Sequence, residues 1–76
     1  MKVSPWKIDD EGNFIREFLE EGENLRAVAA VVRKDCSWIV FSDPSSSQYW
    51  PGISPSFADA FASIDWMLFR EGIELT

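Results

Sequence analysis

The chain has 76 residues, a net charge of −6, one cysteine and no histidine, and 14% of its residues are aromatic. This length allows one compact domain, residues 1–76, in which the aromatic side chains supply much of the buried area. Cys36 has no second cysteine with which to form an internal disulfide, and a zinc site is not expected without histidine or further cysteine.

The amino-terminal residues predict a short structured segment and a turn. Met1–Trp6 contains no long apolar run, so we expect neither a signal peptide nor a membrane anchor, and we expect the protein in the cytoplasm. Trp6 and Ile8 can begin an edge strand or pack under a helix. Residues 9–13, Asp-Asp-Glu-Gly-Asn, then predict a turn, because these residue types tolerate turn dihedral angles.

Residues 13–21 are compatible with two structures. Their apolar residues have the spacing of a short helix: Phe14, Ile15, Phe18 and Leu19. The segment can equally form a third strand, paired with the apolar run that follows it. In a strand, Arg16 and Glu17 would place charge on both faces. Both structures stay open at this point.

Residues 25–34 and 37–42 predict an antiparallel hairpin. The first segment is rich in valine and apolar from Ala27 to Val32, which is typical of a strand buried on both faces, so we place it centrally in a small sheet. Lys34–Ser37 is the connection, and the second segment has apolar side chains on both faces.

Residues 43–52 predict a loop, because they are rich in proline, serine and glycine. This loop carries two adjacent large aromatic residues, Tyr49 and Trp50. They can fold back to close the end of the core, or project outward as anchors for a partner.

Residues 54–70 predict a long amphipathic helix. At about 100° per residue, the apolar stripe comprises Phe57, Phe61, Ile64 and Leu68, with Ala60 and Met67 on its flank. Ser54 is the expected cap, Pro55 the first helical residue and Gly72 the left-handed stop. The predicted fold is therefore α+β, a short antiparallel sheet packed on one carboxy-terminal helix.

Two aromatic residues of this helix lie outside the stripe. Trp66 is roughly opposite to it, and Phe69 is displaced from it by about 100°. Unless the rest of the chain wraps the helix widely, these two side chains form an exposed apolar patch, to which Trp50 can add. They are candidates for contact with another protein or with a second copy.

The charge of the chain is concentrated in residues 9–23, the acidic segment. Its only basic residue is Arg16, and its acidic residues are Asp9, Asp10, Glu11, Glu17, Glu20, Glu21 and Glu23. This segment therefore carries the whole net charge of −6, while the other charges balance. Such a surface repels nucleic acid and attracts basic grooves, or it serves solubility alone.

No pattern in the sequence predicts catalysis. Histidine is absent as a general base, and the chain lacks a nucleophile elbow and a phosphate-binding glycine loop. The consecutive carboxylates of residues 9–11 do not have the alternate spacing of a calcium loop, so we expect no metal or other cofactor. Arg26, Arg33 and Lys34 are too few for direct binding of nucleic acid.

In its layout, the chain resembles the small proteins that phages encode to inhibit host defences, of which anti-CRISPR proteins are the best-known group. The resemblance lies in size, acidity, lack of histidine and the order of a hairpin, residues 25–42, before a helix. It implies a non-catalytic inhibitor in the host cytosol that occupies a basic nucleic-acid channel or blocks a subunit contact.

Together, the acidic segment and the resemblance predict a mimic of nucleic-acid phosphates that binds a basic protein partner. Tyr49 or Trp50 would then supply apolar anchoring. The alternative is a small homodimeric accessory or structural subunit that associates through Trp66 and Phe69, with its acidic residues serving solubility.

Overall fold

The computed structural model describes residues 2–19, 27–41 and 49–75, which form one antiparallel sheet and one helix. The elements are β1 (Lys7–Ile8), β2 (Phe14–Glu17), β3 (Ala27–Val31), β4 (Ser37–Phe41), β5 (Tyr49–Ile53) and α1 (Phe57–Arg70). The strand order in the sheet is β1-β2-β3-β4-β5, so each strand pairs with its neighbours along the chain. The predicted α+β fold is confirmed.

β3 is the central strand, as predicted, but it is not buried on both faces, because Ala30 lies on the face away from the helix and is only half-buried. Val28 and Val31 are fully buried, and Ala29 pairs with Val40 of β4. The turn between β3 and β4 closes with a hydrogen bond of 2.7 Å from the Val32 N–H to the Ser37 carbonyl. Residues 25–26 and 42 of the predicted hairpin lie outside the described residues.

β2 shows that the helix considered for residues 13–21 is wrong over the part that the structure describes. Phe14 pairs with Val31 and Ile15 with Ala30, so the segment continues the sheet beside β3. The register shifts between Arg16 and Glu17, which is a β-bulge. The short helical spacing was misleading because the apolar β3 offers this segment backbone partners along its whole length.

β5 corrects the prediction of a loop over residues 43–52. Tyr49–Ile53 is a strand at the edge of the sheet, where Trp50 pairs with Val40 and Pro51 with Ile39. The Ser54 N–H donates to the Cys36 carbonyl at 3.3 Å, and the alternation of an antiparallel ladder then makes Pro51–Ile39 a non-hydrogen-bonded pair. The missing N–H of proline therefore faces the free edge and costs no hydrogen bond to β4.

The helix begins at Phe57, later than the predicted start at Ser54. Its cap is Ser56, whose hydroxyl accepts a hydrogen bond of 3.2 Å from the Asp59 N–H. Ser54 is not the cap, because its Oγ accepts a hydrogen bond of 3.0 Å from the Trp38 indole. The predicted stop is confirmed, since Gly72 has a φ of 76°, which favours glycine.

The core lies between α1 and one face of the sheet. Ala60, Ile64 and Leu68 are fully buried, while Phe57 and Phe61 pack against Phe14 of β2 with ring centroids 5.1 and 5.2 Å apart. This confirms the predicted stripe. The sheet face that points away from α1 has no helix or strand packed on it within residues 2–19, 27–41 and 49–75.

The amino-terminal segment does both things that the sequence allowed. Lys7 and Ile8 form the edge strand β1, and the Trp6 ring packs on Phe61 of the helix at 4.6 Å. Earlier in the segment, the buried Val3 bridges to Phe18, and its N–H donates to the Glu74 carbonyl at 3.1 Å. Residues 2–3 are therefore held between the end of β2 and Glu74.

Candidate protein-binding surfaces

The turn between β1 and β2 presents the first three residues of the acidic segment. One carboxylate oxygen of Asp9, Oδ1, accepts hydrogen bonds of 2.9 Å from the backbone N–H groups of both Glu11 and Asn13. Asp9 is half-buried and fixes the backbone, whereas Asp10 and Glu11 are exposed. The turn therefore holds two free carboxylates on an ordered backbone.

The other acidic residues are not brought to this turn in the described structure. Glu17 lies at the opposite end of β2 and forms an ion pair with Lys7, with its side chain only 16% exposed. Glu20, Glu21 and Glu23 lie outside the described residues. Of the four carboxylates of the acidic segment whose position is described, three, Asp9, Asp10 and Glu11, lie in this turn.

Tyr49 and Trp50 are adjacent in sequence but lie on opposite faces of β5. Tyr49 is 54% exposed, points away from α1 and contacts Phe41 at a centroid distance of 5.8 Å. Trp50 lies on the helix side, where it lines a cavity of about 180 Å³ beside Met67 and Arg70. Tyr49 does not contribute to the core, whereas Trp50 lies beside the core residues Val40 and Leu68 and stays 45% exposed. The two side chains therefore cannot serve one flat contact together.

Trp66 and Phe69 form an exposed pair on the side of α1 that faces away from the sheet. Their rings are stacked, with centroids 6.0 Å apart and an interplanar angle of 22°. The side chains are 59% and 66% exposed. The sheet and the amino-terminal segment therefore do not wrap the helix widely enough to cover them.

The sheet face that points away from α1 is a further apolar surface, which we call the outer sheet face. Val31 of β3 and Val40 of β4 face the helix. Because side chains alternate along a strand, the residues next to each of them in its strand, and their partners in the neighbouring strands, face outward. The outer sheet face comprises Ile15, Ala30, Ile39, Phe41, Tyr49, Pro51 and Ile53.

Of these residues, sequence reasoning had selected only Tyr49. The signal was present in β4, where Trp38 and Val40 alternate with Ile39 and Phe41, so both faces are apolar. A fold with a single helix can cover only one of them. The second face could have been proposed as a binding surface on that ground.

Sequence reasoning also missed a buried polar cluster around Arg16. The guanidinium donates to the Ser4 carbonyl at 2.7 Å, forms an ion pair with Asp65 of α1, and lies over the Trp6 ring with Cζ 5.3 Å from its centroid. Trp6 Nε1 in turn donates to Asp65 at 3.3 Å. These contacts fasten β2 and the amino-terminal segment to α1.

The described residues show neither a membrane-spanning helix nor a metal-binding cluster. No helix in the described ranges is long and apolar enough to cross a membrane. Across residues 2–19, 27–41 and 49–75, no three His, Cys, Asp or Glu side chains are grouped as they would be around a metal ion. Comparisons with protein-family models, with curated proteins and with solved structures find no match to this chain.

Proposed function

We propose that this protein is a non-catalytic inhibitor that binds a basic site on a nucleic-acid-handling protein, such as a CRISPR effector complex, through the acidic segment. The observation that carries the proposal is that residues 9–23 hold the whole net charge of −6 and begin with an ordered turn. An ordered turn loses little conformational freedom on binding, and its charge accelerates encounter with a basic surface.

Within the described residues, the proposal assigns the contact to Asp10 and Glu11. Both are exposed, whereas Glu17 is already paired with Lys7 and contributes less. Glu20, Glu21 and Glu23 extend the acidic segment in sequence. Phosphate mimicry needs carboxylates that can exchange water for Lys or Arg of the partner, and exposed side chains meet that condition.

An apolar anchor would act far from this turn. β1 and β5 are the two edges of the sheet, four strand spacings apart, so Tyr49 lies about 19 Å across the sheet from β1. A partner that meets both the acidic turn and Tyr49 must therefore present a surface at least this wide. Trp50 points to the other side and would need a separate contact.

The test is a charge reversal with a matched control. The variant Asp10→Lys/Glu11→Lys changes the net charge from −6 to −2, and the control Glu71→Lys/Glu74→Lys makes the same change at exposed positions in the segment that follows α1. Each protein is immobilised and used to capture proteins from a host-cell lysate at low and high salt, with duplex DNA and RNA as competitors.

We expect the unchanged protein and the control to retain the same nucleic-acid-binding protein at low salt, and to lose it at high salt or with nucleic acid added, because salt screens exposed charge pairs. The turn variant should retain much less of it at low salt. Equal capture by all three proteins would overturn the proposal, as would capture that nucleic acid does not compete.

A second candidate function is that of a homodimeric accessory subunit joined through Trp66 and Phe69. The exposed, stacked pair on the outer side of α1 supports it. Trp66→Ser should then convert a dimer to a monomer in sedimentation. A protein that sediments as a monomer at high concentration would rule this function out.

A further inference from the structure

The outer sheet face is a broad, uncovered apolar surface in the part of the chain that the structure describes. Its central row crosses four strands without a charged side chain: Ile15, Ala30, Ile39 and Pro51. Beside this row, Ile53 is 72% exposed. A shallow groove of about 300 Å³ lies over β3, β4 and β5, between Val32 and Tyr49.

We propose that a second copy of this chain covers the outer sheet face, so that two sheets stack face to face in a symmetric dimer with the helices on the outside. Aligned sheets pack about 10 Å apart with interdigitated side chains. The proposal is independent of the acidic segment and uses the side of the molecule opposite to Trp66 and Phe69.

The charge distribution favours a second copy over a basic partner at this face. The ion pair between Lys7 and Glu17 borders the face at β1 and β2, and its two charges cancel. The strands β3, β4 and β5 carry no charged residue. An uncharged apolar surface is complementary to itself under twofold symmetry, and its burial removes no unpaired charge from water.

The area of the outer sheet face is close to the lower limit for such a dimer. Strands β2 to β5, at about 4.8 Å spacing and about 3.4 Å per residue over four or five residues, give a face of about 19 Å by about 14–17 Å. If both copies are counted and the side chains make the accessible area larger than the flat face, the total buried surface approaches about 1,000 Å². This is the lower limit for a specific interface. The helix flank offers only Trp66 and Phe69 as large apolar side chains and is smaller.

The edge strand β5 favours stacking of two sheets face to face over pairing of two sheets edge to edge. A copy that paired with β5 as a further strand would meet Pro51 at the centre of the free edge, where no N–H is available. Proline at this position is a common protection of an edge strand. Two copies therefore meet through their faces rather than through their edges.

The experiment compares three forms of the full chain by sedimentation equilibrium from micromolar to millimolar concentration. One is the unchanged protein, the second is Tyr49→Lys/Ile53→Lys on the outer sheet face, and the third is Trp66→Lys/Phe69→Lys on the helix. Both variants replace two exposed apolar side chains and lower the negative charge by the same amount, so charge repulsion does not explain a difference between them. Circular dichroism checks that each variant is folded.

We expect the mass of the unchanged protein to double from 8.7 kDa with rising concentration, and that of the helix variant to do the same. The sheet variant should remain at the monomer mass. Dimer-dependent shifts of NMR signals should concentrate at Ala30, Ile39 and Ile53.

Any other pattern overturns the proposal. If the unchanged protein is a monomer at every concentration, a second copy does not bind the outer sheet face. If the helix variant is a monomer, the contact between copies involves Trp66 and Phe69, whether or not the sheet variant also dissociates. If the sheet variant remains a dimer, the contact does not involve the outer sheet face. Since the acidic turn is unchanged in all three forms, none of these results bears on the proposed inhibition.

Discussion

The guanidinium of Arg16 on β2 holds the carboxylate of Asp65 on α1 through two contacts, Nε to Oδ1 at 3.0 Å and Nη2 to Oδ2 at 3.3 Å. The arginine side chain is 7% exposed and the aspartate 29%. A planar guanidinium engaged at two atoms fixes orientation as well as distance. The pair therefore determines how the helix lies across β2.

Asp65→Ala should lower the free energy of unfolding by about 2–4 kcal/mol, because it leaves a buried guanidinium without its carboxylate. The measurement is urea unfolding followed by tryptophan fluorescence. Ser63→Ala, at an exposed position of the same helix, is the control and should change stability by less than about 0.5 kcal/mol. The double variant Arg16→Met/Asp65→Leu should recover most of the loss, and a double variant no more stable than Asp65→Ala would contradict this explanation.

Gly52→Ala should destabilise the protein, because a Cβ at this position would overlap the Trp38 indole ring. The ring cannot easily move away, since its Nε1 donates to Ser54 at 3.0 Å. Overpacking of this kind costs about 1–3 kcal/mol. Thermal unfolding of Gly52→Ala alone and in a Trp38→Leu background tests the cause, because the penalty should shrink once the ring is gone; an equal penalty in both backgrounds would argue against the clash.

Cys36→Gly should stabilise the turn between β3 and β4. Cys36 has a φ of 58°, a left-handed conformation that costs a residue with a Cβ about 1–2 kcal/mol and costs glycine little. Because glycine also loses more entropy on folding, the net gain should be about 0.5–1 kcal/mol in chemical unfolding. Cys36→Ala removes the same thiol but keeps the Cβ, so it should give no such gain, and equal stabilisation by both changes would contradict a backbone origin.

Ser37→Ala should raise the pKa of Asp35 toward its ordinary value. The Ser37 hydroxyl and backbone N–H donate to Asp35 Oδ1 at 2.7 and 3.0 Å, and these hydrogen bonds hold the pKa of Asp35 below the ordinary value of an aspartate. Since alanine keeps the N–H, the pKa should move only part of the way, as measured by carbon NMR of the carboxyl group. Ser63→Ala should leave the titration of Asp35 where it is.

The hydrogen bonds from Ser37 to Asp35 should also make the free energy of unfolding depend on pH. A carboxyl whose pKa is lower in the folded state stabilises the fold fully above its ordinary pKa, and this contribution is lost as the pH falls through the lowered value. Ser37→Ala should therefore flatten the acid limb of the stability profile. An unchanged acid limb would mean that Asp35 does not contribute there.

The sequence predicted α1 well and β5 badly, and the reason is the range of the interactions involved. The helix stripe depends on spacing within one segment, whereas the strand at Tyr49–Ile53 contains Pro51 and Gly52, which are unfavourable in most strands. They are tolerated because β5 is an edge and because Trp38 fills the space over Gly52. Those are properties of a neighbouring strand, and local composition does not contain them.

The candidate surfaces likewise differ in whether the local sequence predicts them. Local sequence located the acidic turn of residues 9–13 and the exposed Trp66, because the first follows from the position of the charges and the second from helical spacing. The burial of Arg16 depends on Asp65, which is 49 positions away in sequence. Likewise, both faces of β3 and β4 are apolar, and only the position of α1 decides which one stays uncovered.

The contact between Val3 and Glu74 has a kinetic consequence during synthesis. The ribosome makes Val3 before its backbone partner Glu74, which lies 71 positions later, so this contact cannot form until residues 73–75 have emerged. The strand pairs form between sequence neighbours and can assemble sooner. The nascent chain therefore exposes both apolar faces of its sheet until α1 arrives, and in that interval it is most prone to aggregation and most in need of chaperones.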